Sequence, residues 1–331
     1  MSNAIRMNGV RKTFGPKVAV EGIDLSVPEG SLHGFIGPNG AGKTTTIRMI
    51  MAILFPDRGD LEVLGRKSAV ESKDRIGYLP EERGVYKKMK VAPFLEHMGR
   101  LKGLDAGPSL RKATRDWLDR VGLPDVAQKK CEELSKGMQQ KVQFIASVLH
   151  EPDLLILDEP FSGLDPVNMR LLRDLIREQH EGGRTVIFST HVMVQAEQLC
   201  DHIVMIHNGK KVLDDPLGTI RSRYEPTAVW YEPMSDGPTA DAAVSAIEGV
   251  AGVGEHDGHR EALLSEHADA GVMVGRIAAA APMARVELHR PSLEDIFIEI
   301  VSADADTDEL QQLRAAVRGG ENAASEAEVG S

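Results

Sequence analysis

The sequence has only two cysteines in 331 residues, no excess of basic charge and no long apolar run. Cys131 and Cys200 lack metal-ligand spacing and a secretory context, which excludes a disulfide framework and leaves two free thiols as the expectation. No stretch approaches the ~18 consecutive apolar residues of a membrane span, so nothing is expected to cross a bilayer. The amino terminus lacks a basic-then-apolar signal segment, and a cytoplasmic location is expected. Lys and Arg number 39 against 50 Asp and Glu, a net charge of −11. That balance argues against a general binder of nucleic acid or of anionic membrane. The eleven histidines gather into no ligand cluster. What remains is a globular mix, 42% hydrophobic and 27% charged, long enough for two domains with ample core.

The stretch Gly37-Pro38-Asn39-Gly40-Ala41-Gly42-Lys43-Thr44-Thr45 organises the chain. It follows an apolar strand-like run, Leu32 to Ile36, and opens a helix with Ile47, Ile50 and Leu54 in apolar register. The spacing G-x-x-x-x-G-K-[ST] is that of a phosphate-binding loop. Glycines let successive backbone N–H groups turn inward onto phosphate oxygens, and the following helix adds its positive end. Lys43 is positioned to reach the β- and γ-phosphates, and Thr44 to offer its hydroxyl to Mg²⁺.

Further along, Asp153 to Pro160 is an apolar strand that ends in two carboxylates, Asp158 and Glu159. Continuous apolar runs belong to buried parallel strands, whose carboxyl ends hold ligands in open α/β sheets. Asp158 suits the Mg²⁺ shell and Glu159 suits polarising an attacking water. Another buried strand, Thr185 to Thr190, delivers His191 to the same edge. Ile203 to His207, Asn208-Gly209 and Lys211 to Leu213 carry a hairpin signal. Between the two motifs the pattern is helical, with Val91, Leu95, Met98 and Leu101 on one face and Leu110, Ala113, Trp117 and Val121 on another. Gly122 is placed as a C-cap, and Ser135 as the N-cap of a helix through Val142, Ile145 and Leu149. Phe14, near the end of the first strand segment, is by itself either a core residue or a base-stacking one.

Beyond about Leu217 no catalytic constellation appears. Residues 222 to 302 alternate β-like pieces, Ala228 to Tyr231 and Ala284 to Leu288, with Ala/Gly-rich stretches, and close on a helix start at Pro291-Ser292. Residues 303 to 331 are acidic and Ala/Gly/Ser-rich, the composition of a solvated, disordered tail.

In this order the motifs resemble those of ABC transporter ATP-binding subunits, over roughly residues 4 to 220. Gly37 to Thr45 matches the Walker A motif, and Leu154 to Glu159 matches Walker B with its catalytic glutamate. Leu134 to Gln140 resembles the signature sequence, Ser162-Gly163-Leu164-Asp165 the D-loop, and His191 the switch histidine. The resemblance makes Phe14 the residue that stacks on adenine. It implies an α/β P-loop NTPase of the ABC ATPase type over residues 1–221, with an N-terminal antiparallel β subdomain and a helical insertion. A small α/β accessory domain would span 222–302 and the acidic tail 303–331.

Two positions depart from the family pattern. The signature reads Leu-Ser-Lys-Gly-Met, with Lys136 and Met138 where a glycine and a glutamine are usual, while Ser135 and Gly137 are kept. The loop after Tyr78-Leu79-Pro80 carries Glu81 in place of a glutamine that reaches Mg²⁺ and the water. A carboxylate still offers oxygen to Mg²⁺, but adds negative charge beside a triphosphate. Tyr-Leu-Pro-Glu-Glu-Arg-Gly and Leu-Ser-Lys-Gly-Met-Gln-Gln look like the ATPases of ABC-2 type exporters, the sodium-extrusion and drug-resistance kind. Such a subunit sits on the inner face of the cell membrane, pairs as a homodimer or heterodimer around ATP and Mg²⁺, and drives integral membrane permease subunits. Residues around Arg83 to Met89 would pass its motion on. The competing reading is a soluble ABC-type ATPase of translation or DNA repair. Those types carry two nucleotide domains or a long coiled coil, and this chain has one such domain with about 110 residues between its motifs.

Overall fold

A computed structural model describes residues 2–302 apart from 83, 225, 235, 236 and 257. Arg83 and the segment 303–331, for which a tail was expected, lie outside the described residues. Contacts divide the chain into two compact units, Met1–Leu217 with the chain from Phe297 on, and Gly218–Ile296. The sequence led us to expect domain boundaries at 221/222 and 302/303.

In the first unit, β1 (Asn3–Phe14) pairs antiparallel with β2 (Lys17–Pro28) and with β4 (Arg58–Val63), giving a three-stranded sheet in the order β2-β1-β4. Between them lie β3 (Leu32–Ile36) and α1 (Lys43–Ile50). β5 (Ile76–Leu79), β6 (Leu154–Asp158), β7 (Thr185–Thr190), β8 (His202–His207) and β9 (Lys210–Pro216) join β3 in a six-stranded sheet, ordered β5-β6-β7-β3-β8-β9. All its neighbours run parallel except β8 and β9, the hairpin expected at Asn208-Gly209. Every residue of β3, β6 and β7 is buried, which is why these strands read as unbroken apolar runs. One core joins the sheets, with Ile5, Met7 and Val27 from the first, Phe35, Ile156 and Ile187 from the second, and Ile47 of α1 between.

The helical insertion comprises α2 (Val91–Leu101), α3 (Pro108–Arg120) and α4 (Lys136–Val148). On α2 the buried stripe is Val91, Phe94, Leu95 and Gly99, and Leu101 is 58% exposed at the last turn. On α3 it is Leu110, Thr114 and Leu118, with Val121 following. Trp117 is half-buried, edge-on to Phe144, with the Arg120 guanidinium 4.1 Å from its ring. Gly122 takes the left-handed conformation expected of it (φ 71°). α5 (Pro166–Glu181) and α6 (Met193–Leu199) complete the αβ connections, and α7 (Leu217–Arg223) leads out. Both cysteines are free and buried.

The second unit runs β10 (Ala228–Pro233), α8 (Gly237–Ser245), β11 (Val250–His256), β12 (His259–Leu264), α9 (Ala270–Ala280) and β13 (Met283–His289). Its antiparallel sheet has the order β11-β12-β10-β13, the arrangement of two interleaved βαβ units. Val229, Tyr231 and Ala262 face Val244 of α8 and Met273 and Ile277 of α9 in one small core. α10 (Leu293–Ser302) follows, its start fixed by Ser292 and Asp295: Asp295 N–H donates to Ser292 Oγ at 3.1 Å and Ser292 N–H to Asp295 Oδ2 at 2.9 Å.

Candidate functional site

The parallel register brings three strand ends together. Ile36 of β3 lies opposite Thr190 of β7, and Asp158 of β6 lies opposite Ser189. The loop after β3, both carboxylates and the residues before His191 therefore share one edge of the sheet, where ligands of such sheets bind.

The loop is a cradle because Gly37 and Gly42 leave no room for a side chain. Gly37 has φ 147°, and a side chain there would run into the Ile206 carbonyl of β8. Lys43, the first residue of α1, is buried, and its Nζ donates to the Gly37 carbonyl at 2.7 Å and the Pro38 carbonyl at 3.2 Å. The ammonium is thus folded onto its own loop. Burial lowers its pKa, while Glu159, Asp158 and Glu81 act against that shift. A cavity of about 400 Å³ lies over the loop, lined by Phe14, Lys17, Ala19, Asn39, Gly40, Gly42, Lys43, Thr44, Thr45, Glu81 and Glu159. Phe14 is 47% exposed at its rim, in the β1–β2 hairpin opposite Lys17. Ala41 is buried beneath it.

Asp158 is fully buried. Its Oδ1 accepts from Ser189 Oγ at 2.5 Å and from Thr44 Oγ1 at 3.4 Å, whereas its Oδ2 is buried without a hydrogen-bond partner. Burial raises its pKa, and Glu159 raises it further. Glu81 is raised by desolvation first and then by Asp158 and Glu159. A buried carboxylate oxygen left unpaired among other carboxylates calls for a cation.

Glu159 sits at φ 49°, unusual for a residue with a side chain, and its N–H donates to the Ser189 carbonyl at 3.0 Å. The turn swings its carboxylate out of strand direction and toward β7. Oε1 accepts from the His191 backbone N–H at 2.9 Å and lies 2.8 Å from His191 Nδ1, and Oε2 accepts from Thr190 Oγ1 at 3.3 Å. A carboxylate only accepts, so His191 carries a proton on Nδ1 and turns Nε2 away from Glu159. Ser189 and Thr190 were missed from the sequence. Their role depends on strand register, and the one sign of it was two hydroxyls at the end of an apolar run.

Ser135, Gly137 and Asp165 are among the expected residues that do not line the cavity. Ser135 is exposed at the N-cap of α4, where its Oγ accepts from Met138 N–H at 3.3 Å, and Gly137 is on the first turn. Asp165 caps α5 through Asn168 N–H at 2.9 Å, a contact that also lowers its pKa. α4 adjoins this loop: Gln140 Nε2 donates to the Pro160 carbonyl at 2.9 Å. Among the described residues, no group of His, Cys, Asp and Glu forms a metal site by itself.

The model of the family "ABC transporter" matches residues 20–162. The uncharacterized ABC transporter ATP-binding protein YhaQ of Bacillus subtilis (strain 168) is 40% identical over 300 residues, 90% of this chain and 99% of that protein. The chain belongs to the ABC transporter ATP-binding proteins. The daunorubicin resistance ATP-binding protein DrrA3 of Streptomyces coeruleorubidus is 31% identical over 310 residues, 91% of this chain and 96% of its own. A solved structure of an ATP binding subunit of an ABC transporter superposes with a TM-score of 0.62 at 29% identity, over 66% of this chain and 92% of that one. The ABC transporter subunit binds ATP and hydrolyses it. These relatives give no support to the reading as a soluble translation or repair ATPase. Among the described residues no helix is long and apolar enough to cross a membrane.

Proposed function

We propose that two copies of this chain, or this chain and a paralogue, close head to tail on two ATP molecules and drive a separate ABC-2 type permease that exports its cargo from the inner face of the membrane. What carries this reading is that Ser135, exposed at the N-cap of α4, and Gly137 on its first turn are not among the residues that line the cavity with Lys43 and Glu159. A serine and a helix N-terminus exposed away from their own nucleotide loop suit the γ-phosphate of a second copy. The relative named for daunorubicin resistance supports export. Residues 1–221 then form the ATPase domain and 222–302 an accessory domain.

Phe14 stacks on adenine while Lys43 and the loop amides of Gly37, Asn39, Gly40, Gly42, Thr44 and Thr45 hold the phosphates; Pro38 has no N–H, and the Ala41 N–H closes the turn onto the Pro38 carbonyl at 3.2 Å. Thr44, Asp158 and Glu81 supply the protein oxygens for Mg²⁺, and the unpaired Asp158 Oδ2 fits that role. Bound there, Mg²⁺ would neutralise charge on the β- and γ-phosphates. Glu159 keeps Oε1 on His191 and has Oε2, with its one long contact, to take the proton of the attacking water. His191, held through Nδ1 on Glu159, has Nε2 left for the γ-phosphate. Asp165 approaches the nucleotide from the facing copy.

The test is the solution mass of Glu159→Gln with ATP and Mg²⁺. The expected result is a dimer that falls apart when ATP is removed. A species that stays monomeric under those conditions overturns the paired site. Co-purification with a neighbouring membrane protein tests the permease.

A further inference from the structure

The residues assigned to the nucleotide hold the front of the phosphate loop, and none lies beyond His191 in sequence. The back of the loop rests on the β8–β9 hairpin. Gly209 N–H donates to the Ala41 carbonyl at 2.8 Å, and the Gly209 carbonyl accepts from Glu21 N–H at 2.8 Å. The Ile206 carbonyl fills the space behind Gly37. Asn208 and Gly209 both have positive φ, 46° and 77°, the signature of a tight two-residue hairpin turn. A side chain at 209 would meet the Ala19 carbonyl at 2.9 Å, so the turn is wedged between β2 and the loop with no slack.

The other side of this hairpin meets α10. Phe297 is fully buried, and its ring stands edge-on to His207 with centroids 5.6 Å apart and planes at 73°. His207 Nε2 and Asn208 Nδ2 are 3.0 Å apart, so the ring is bonded to the turn itself. A chain of direct contacts therefore runs from Phe297 through His207 and Asn208–Gly209 to Ala41. We propose that Phe297 is a positioning residue for the phosphate loop, and that α10 thereby sets the affinity for ATP. α10 starts at Leu293, and its residues up to Ile296 belong to the second unit.

The test is a double-mutant cycle on the full chain with Phe297→Ala and His207→Ala. Affinity for a fluorescent ATP analogue, KM and kcat are measured below the lowest melting temperature of the set, so that folded protein is read. Each single variant is expected to weaken nucleotide binding by roughly 5- to 20-fold, the cost of a loop displaced by a fraction of an ångström. KM should rise with it and kcat stay within about twofold. The double variant should bind no more weakly than the weaker single, because both break one path. Phe297→Leu, which keeps bulk, should recover part of the loss. Unchanged affinity with a lowered melting temperature makes Phe297 merely structural and overturns the proposal, as do additive effects. Lys43→Ala distinguishes the two readings: if it too leaves affinity unchanged, the loop assignment fails rather than the brace.

Discussion

Glu159 is held by three donors from the end of a single strand, and Lys43 by two carbonyls of its own loop. Those two anchorages separate breaking ATP from holding it. Glu159→Gln keeps the size of the side chain and can keep one acceptor for His191, but it cannot take a proton. Its turnover should fall by about 10²–10⁴ with ATP affinity retained, and steady-state hydrolysis beside equilibrium binding checks both halves. Wild-type turnover in that variant would remove the carboxylate from its role. Lys43→Ala deletes the buried cation among Glu81, Asp158 and Glu159, so repulsion of the triphosphate is no longer offset. Binding itself should weaken by at least about tenfold. Equal affinity in that variant would count against the assignment of this loop to the phosphates.

β3, β6 and β7 of the large sheet were legible because burial on both faces leaves an unbroken apolar run, as in Leu154 to Leu157. β11 and β12 were not, since Gly252, Gly254, Arg260 and Glu261 interrupt strands that bury only one face. α9 reads as an Ala/Gly stretch until Met273 and Ile277 are seen on one side of it. Leu101 fits the period of α2 but falls on its last turn, where the helix gives way to Lys102-Gly103. Periodicity says which face is apolar and not where the neighbour ends. At the edge of the sheet remote from the nucleotide, β3 and β8 carry another feature without a sequence signal. His33 is buried, stacked on His202 at 4.3 Å, and His202 Nε2 lies 2.7 Å from Asp214 Oδ1. Ser31 Oγ donates to the Pro28 carbonyl at 2.6 Å, so at 3.0 Å it accepts from His33 Nδ1 and leaves Nε2 without a partner. Burial, and then His202, hold the His33 pKa down at about 4, although Asp214 pulls the other way. His150 is also held at about 4, by burial and then Lys102. An unfolded chain binds a proton at each between pH 6.5 and 4 and the folded chain does not, so stability rises with pH across that window. Between pH 7 and 5 the loss should be roughly 2 kcal/mol for each histidine. His33→Phe keeps the stack and should remove about half of that dependence, read from urea midpoints. A variant as acid-sensitive as the wild type would clear His33 of it.

For the whole molecule, the site residues were legible as motifs while their separation was not. Ser135, Gly137 and Asp165 follow one another in the expected order, yet the fold spends Ser135 and Asp165 as helix caps and leaves both exposed. A cap oxygen in a single chain and a ligand of a second chain's phosphate are compatible uses, because a hydroxyl has two lone pairs and one proton. Ser135→Arg separates them. The cap loss costs about 1 kcal/mol, which leaves a two-unit protein folded. The arginine projects from an exposed helix start, where Lys136 already adds charge, and blocks the approach of a facing copy. If each ATP is completed by two chains, this variant should bind one ATP per chain with affinity within about twofold of wild type. It should fail to pair even when combined with Glu159→Gln, and lose at least about tenfold in hydrolysis. Ser135→Thr, which keeps hydroxyl and cap, should restore pairing. Hydrolysis at the wild-type rate by Ser135→Arg, measured at concentrations where the chain runs as a monomer, would mean that one copy completes its own site and that the exposed serine caps a helix and nothing more.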